Sequence, residues 1–169
     1  MTSLNLRTIK LRPGQEYRDE VDVELEPLGL AGQRYFPVPE QVPAALRITR
    51  ATTGSVLQLD FDARLHGPCF RCLSETALDV PIVVTEYHAT NPDGDEELRS
   101  PYVTDDTVDL SAWAHDAVVL ALPDKILCRS DCAGLCSVCG EDLNAAPHEH
   151  AEERSDSRWA ALEALRENL

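Results

Sequence analysis

The sequence predicts an α+β protein: an antiparallel β-rich N-terminal domain, a helix at about 110–121, a cysteine/histidine segment and a C-terminal helix. Three observations carry that reading. Apolar and polar residues alternate through most of the first ninety positions, two later stretches have helical spacing behind a capping residue, and the cysteines fall in two tight blocks. The expected division is a β-rich domain over 1–125 and a ligand-bearing segment over 126–169, with the final helix packed on it in one globular unit.

The strands come first. "SLNLRTIKL" at 3–11 and "EYRDEVDVEL" at 16–25 alternate, with Val21, Val23 and Leu25 on one face of the second and "RPGQ" as the turn between them. "ALRITRA" and "SVLQLDFDARL" flank "TTG", which predicts a hairpin over 45–65 with Leu57, Leu59 and Phe61 inward. A further strand, "ALDVPIVVTEYHA", follows Cys72. The stretch 91–106 combines a turn dipeptide with an acidic run and little to bury, so it reads as a mobile surface loop.

The helices follow. "DLSAWAHDAVVLALP" places Leu110, Trp113, Ala117, Leu120 and Ala121 at helical spacing, with Asp109 or Ser111 as cap and Pro123 as stop. "SDSRWAALEALRENL" repeats the pattern with Ser155 or Asp156 as cap and Trp159, Leu162 and Leu165 on one stripe. Both tryptophans read as core anchors.

Composition narrows the function classes. With 43% hydrophobic and 27% charged residues, the 169-residue chain has the make-up of a soluble globular protein. Its N-terminus mixes Arg7, Lys10 and Arg12 with isolated leucines, unlike a secretory signal. The longest apolar run, at 117–123, falls far short of the roughly 20 residues that cross a bilayer. A cytoplasmic address without membrane contact is therefore expected, and there cysteines stay reduced.

The net charge of -15 is unevenly placed, with ten acidic side chains against one basic in 73–110 and equal numbers of each in 1–72. Such a chain as a whole is repelled by nucleic-acid phosphates. Arg47, Arg50, Arg64 and Arg71, with His66, form the one local basic excess, and they read as a solvated strand face rather than an RNA-contacting strip.

The cysteines raise the central question, because six of them as CxxC, CxxxC and CxxC are more clustered than packing requires. Zinc takes four sulfur or imidazole ligands in a tetrahedron, and short turns supply them in pairs. Four pairs are present: Cys69 with Cys72, Cys128 with Cys132, Cys136 with Cys139, and His148 with His150. The last two lie on one side of an extended "HEH", although histidines in an acidic tail are commonly just exposed. Eight ligands make two closed zinc sites. Spacing leaves open how the pairs combine. One grouping unites the four clustered cysteines, and another joins Cys69, Cys72, Cys128 and Cys132 against Cys136, Cys139, His148 and His150.

Enzyme motifs fail. "HGPCFRC" holds half of a zinc-deaminase signature without an upstream H-x-E, "HEHAE" lacks metalloprotease spacing, and no P-loop, GxSxG or GxGxxG occurs. Four protein ligands per metal also leave no open position for water, which points to structural sites, no enzyme and no small-molecule substrate.

"CFRCL" at 69–73, "DAVVLALP" at 116–123, "LCRSDCAGLCSVCGEDL" at 127–143, "HEH" at 148–150 and "DSRWAAL" at 156–162 together resemble the bacterial YceD family. "LRPGQEYR" at 11–18 is similar to its actinobacterial members. Among such relatives some keep the first CxxC with the pair at Cys128 and Cys132 and lack the later cysteines, which implies the second grouping. Others carry CxC at the place of His148 and His150, which implies ligation by that pair. "CSVCG" departs from the family's CPxCG at Ser137 and loses a proline but no ligand.

The resemblance implies a factor for accumulation of large-subunit (23S) ribosomal RNA, acting in its synthesis, processing or stability. So acidic a chain is expected to meet a ribosomal or RNA-processing protein, with pre-23S RNA contacted only indirectly. A redox-sensitive zinc chaperone is the alternative. A metal-dependent enzyme is a third reading, and it requires a site with only three protein ligands.

Overall fold

Strand β6, Gly54–Pro68, organises the molecule, and the computed structural model describes residues 2–91 and 98–150 around it. Its alternating sequence buries Leu57, Leu59, Phe61, Ala63 and Leu65 and turns Asp60, Asp62 and Arg64 outward. One edge of β6 pairs along its whole length with β7, Glu75–Ala89, in an antiparallel register from Gly54↔Ala89 to Pro68↔Glu75. The other edge is shared. β5, Gln41–Arg50, pairs with Ser55–Asp60, and β4, Gln33–Pro37, pairs with Leu65 and His66.

β2, Glu16–Glu24, adds to the free edge of β5, and β3, Leu28–Leu30, adds to β4, which completes a six-stranded antiparallel sheet. A three-stranded sheet is formed by β1, Ser3–Asn5, β8, Val103–Thr104, and β9, Thr107–Asp109, with β9 in the middle. α1, Leu110–Ala121, leaves β9 directly and packs against β7, β2 and β1. The fold is thus mostly antiparallel β with one helix near residue 110, as the alternation predicted. The expected C-terminal helix with Trp159 lies outside the described residues.

Several local readings are corrected. The strand over 3–11 stops at Asn5, whose side chain accepts the Arg7 N–H and opens a 3-10 turn over Leu6–Thr8. The pair β3–β4 went unread because its two-residue turn is Ala31-Gly32, both at positive φ, where Asn or Asp usually signals the conformation. Within the expected loop 91–106, residues 103–106 form β8 and the turn into β9, with Asp105 and Asp106 at positive φ. The cap of α1 is Asp109, accepting from the Ala112 N–H, while Ser111 is buried and accepts from the Thr2 N–H. Its buried stripe is Leu110, Trp113, Ala114, Ala117 and Val118; Leu120, placed on that stripe by spacing, is 84% exposed, and Ala121 is exposed too.

The core runs from Val23, Leu46 and Ile48 across Leu57, Leu59 and Leu65 to Trp113, Val118 and Ile126. Each such aliphatic side chain contributes roughly 1.5–3 kcal/mol on full burial. Trp113 stacks on Tyr102 with ring centroids 6.3 Å apart. The chain divides into two compact units, Met1–Cys132 and Ala133–Leu169. Ile126 belongs to the core of the first unit, and Cys128 and Cys132 meet the hairpin tip of its sheet. Among the described residues no helix is long and apolar enough to cross a membrane.

Candidate metal centres

The first centre grows from the β6–β7 hairpin. Register Pro68↔Glu75 leaves 69–74 as its tip, so the first CxxC is the hairpin's own turn. The Cys69 N–H bonds the Ser74 carbonyl at 2.8 Å, the Leu73 N–H bonds the Cys69 carbonyl at 3.0 Å, and Leu73 takes a positive φ of 59° to close the loop. Gly67, just before the tip, lies so close to the buried Tyr35 ring that a Cβ there would clash with it, and the Tyr35 hydroxyl donates to the Pro68 carbonyl at 2.9 Å. The tip is therefore anchored to the core.

The returning chain after α1 docks on this tip. The Phe70 N–H bonds the Ile126 carbonyl at 2.8 Å, Lys125 places its ammonium over the Phe70 ring at 4.9 Å, and the Arg71 guanidinium donates to the Cys132 carbonyl at 2.6 Å. Cys72 Sγ and Cys128 Sγ come to 3.6 Å, and Cys69 Sγ and Cys132 Sγ to 3.9 Å. These are not disulfide distances, which are near 2.05 Å. A tetrahedral site with metal–sulfur bonds of about 2.3 Å has sulfur–sulfur edges of about 3.8 Å, so the four thiols fit one metal.

The second centre lies wholly in the later unit. Leu135 and Asp142 form an antiparallel bridge, and the Cys136 N–H bonds the Glu141 carbonyl while the Gly140 N–H bonds the Cys136 carbonyl. Gly140 sits at φ +77°, the left-handed conformation that lets the loop double back under its sulfurs. His148 Nε2 faces Cys139 Sγ at 3.1 Å, and its Nδ1 lies 2.7 Å from the Ala146 carbonyl. An Nδ1–H donated to that carbonyl directs the Nε2 lone pair at the sulfur side, the orientation a metal-bound imidazole has. The His150 ring stands edge-on to His148, centroids 4.9 Å apart.

In each group the four ligand atoms lie within 4.8 Å of one another. The two groups are Cys69, Cys72, Cys128 and Cys132, and Cys136, Cys139, His148 and His150, so either could hold a metal ion. His66, His88 and His115 join neither group.

The electrostatics fit a cation in both. Burial pushes the Cys69 thiol up, but N–H groups of Cys72, Cys128 and Arg71 outweigh it and bring it down to about 6. Cys72 is lowered chiefly by the Ser74 hydroxyl, 2.9 Å away. Burial and then the neighbouring sulfurs push Cys128 up to about 12. The N–H groups of Cys139 and Val138 bring Cys136 down to about 6, whereas Cys139, next to it, is raised. Each cluster thus sets a lowered thiol beside one that burial and the neighbouring sulfurs hold up, a cost that a divalent ion offsets.

Sequence reasoning missed three supporting groups: Ser74, the Arg71 contact to the Cys132 carbonyl, and the Ala146 carbonyl behind His148. Only the glycine after Cys139 was visible as a motif. The basic strip at 44–72 also resolves: Arg47 faces Glu16 at 3.9 Å, Arg64 faces Asp79 at 3.7 Å, and Arg71 serves the first centre.

A family model described as "Large ribosomal RNA subunit accumulation protein YceD" matches residues 57–166, a stretch containing all eight candidate ligands. The chain belongs to the YceD family. This YceD-family chain is 37% identical over 121 residues to Uncharacterized protein Rv2926c of Mycobacterium tuberculosis (strain ATCC 25618 / H37Rv), covering 69% of itself and 58% of that relative. It is 37% identical over 99 residues to Uncharacterized protein ML1660 of Mycobacterium leprae (strain TN), covering 56% and 45%. With Uncharacterized protein YlbN of Bacillus subtilis (strain 168) it shares 30% over 116 residues, covering 64% and 66%. It therefore spans little more than half the length of the first of these relatives. No solved structure matches this chain.

Proposed function

We propose that this YceD-family chain holds two zinc ions as structural elements and supports synthesis, processing or stability of 23S ribosomal RNA in the cytoplasm, without catalysing a reaction. The observation that carries the reading is the family match, which begins in β6 and takes in both ligand groups. Four-thiolate and two-thiolate, two-imidazole sets suit zinc, and the imidazoles of the second set disfavour an iron–sulfur cluster. Closed sets of four protein ligands leave no position for a reactive water, which supports a non-enzymatic role. The acidic balance favours a basic ribosomal or RNA-processing protein as partner over direct contact with RNA.

The test combines two measurements. Elemental analysis of purified protein should give two zinc ions per chain, and a value near one removes His148 and His150 as ligands. Cells deprived of the protein should lose 23S RNA relative to the small-subunit RNA, with pull-down recovering a ribosomal or processing protein. Unchanged 23S levels would refute the biological role. A redox-switched zinc chaperone draws support from the exposure of Cys139 and His150. Suppression of client aggregation only after peroxide treatment would favour it.

A further inference from the structure

Away from both metal centres, the described structure contains a cavity of about 680 Å³ between the N-terminal segment and the ends of β5, β6 and β7. Its walls are held by backbone bonds: Gly14 N–H to the Arg50 carbonyl at 2.8 Å, Arg50 N–H to the Gln15 carbonyl at 2.9 Å, and Leu6 N–H to the Asp106 carbonyl at 2.7 Å. The Gln15 side chain also accepts from the Arg12 N–H. The cavity is preformed rather than a gap between loose loops.

Its lining has two parts. Leu6, Ile9 and Leu11, half-buried against the core, with the buried Ile48, supply an apolar floor. Arg7, Lys10, Arg12 and Arg50 supply four cations against one carboxylate, Asp106, which is already bonded to Arg7 at 2.6 Å. Among the described residues no carboxylate lies in ion-pair range of Lys10, Arg12 or Arg50. The Arg50 guanidinium is positioned by a 3.2 Å bond to the Ser55 hydroxyl, and Ser55 and His88 are also part of the wall.

In a chain with twice as many acidic as basic side chains, three cations with no carboxylate of the described residues in ion-pair range, gathered around one apolar-floored cavity, suit an anionic ligand. Guanidinium forks match phosphate oxygens two at a time, and the volume lies in the range of small-ligand sites, well beyond one inorganic ion. We infer that this cavity binds a nucleotide through its 5′-phosphate, the phosphate on Arg12, Lys10 and Arg50 and the base and sugar over the apolar floor. The ligand comes either as a free mononucleotide or as the phosphorylated end of an RNA strand. The inference stands apart from the metal centres.

Isothermal titration of the zinc-loaded full chain tests it, with AMP, adenosine, and a 5′-phosphorylated and an unphosphorylated RNA tetranucleotide as probes. Saturable binding of AMP but not adenosine is expected, weakened at least tenfold in the double variant Lys10→Gln/Arg12→Gln and unchanged in Arg34→Gln, which lies on Phe36 elsewhere. Both substituted side chains are exposed, so folding should be retained, and an unchanged thermal melt verifies it. The phosphorylated tetranucleotide binding more tightly than AMP assigns an RNA end as the ligand, and AMP binding equally well assigns a free nucleotide. Absence of saturable binding by both phosphorylated probes, or equal binding by the double variant, overturns the inference.

Discussion

If Cys69 and Cys128 serve one metal, losing either should cost the same and losing both should cost no more. The geometry sets this expectation: Cys69 pairs with Cys132 at 3.9 Å and Cys72 with Cys128 at 3.6 Å, two opposite edges of one tetrahedron that joins the hairpin tip to the chain after α1. At free zinc a thousandfold above the dissociation constant, a bound ion adds about 4 kcal/mol to stability. Cys69→Ser and Cys128→Ser should therefore each remove about 4 kcal/mol from the unit Met1–Cys132. Independent sites would give about 8 kcal/mol for the double variant, whereas a shared site gives about 4, a coupling far outside the usual additivity error. The assay is urea unfolding with and without chelator, alongside zinc content. Each single variant and the double should hold about one zinc per chain, and chelator should lower the stability of the unit Met1–Cys132 in wild type to that of the variants. Cys139→Ser should remove the other ion independently. A double variant that binds no zinc would refute the grouping.

Three further outcomes follow from the same structure. Gly67→Ala would place a Cβ 2.4 Å from Tyr35 Cδ1 and 2.9 Å from the Arg34 carbonyl, so urea unfolding should show a loss of about 1–3 kcal/mol. Equal stability would mean that the hairpin tip is not held against Tyr35. Zinc uptake at pH 7.5 should release protons, because Cys128, pushed up to about 12, keeps its proton until a metal displaces it, while Cys69, at about 6, is already ionised. The sign follows: affinity rises with pH, and an indicator dye in weak buffer that records no acidification contradicts it. Asp109→Ala should cost about 1 kcal/mol through the lost cap on α1, read by thermal unfolding, and Asp109→Ser should restore most of it.

The candidate ligand pairs, which the structure gathers into two groups that could each hold a metal ion, were legible in the sequence. Short pairs of cysteine or histidine are a local signal, since two ligands one turn apart need no knowledge of distant chain, and the closed donor count already argued against catalysis. The long strands were equally legible, because half-burial imposes alternation residue by residue on β5, β6 and β7. Less was visible where a local contact overrode periodicity, as when the Asn5 side chain turned the first strand into a 3-10 turn. The helix face erred by the same route: spacing admitted Leu120, but the helix meets the sheet along Trp113, Ala117 and Val118 and leaves that leucine in solvent.

Sequence alone thus determined which side chains can bind metal, the antiparallel class and the helix that follows the sheet, all properties of neighbouring residues. Tertiary structure decided which pairs come together as one candidate ligand set. Cys69 and Cys128 are separated by β7, β8, β9 and α1, and the β6–β7 register, which makes 69–74 a hairpin tip, and the Phe70–Ile126 bond bring them together. The nucleotide cavity has the same origin. Lys10 and Arg12 lie far along the chain from Arg50 and His88, and backbone bonds between segments, not any motif, assemble them around one space.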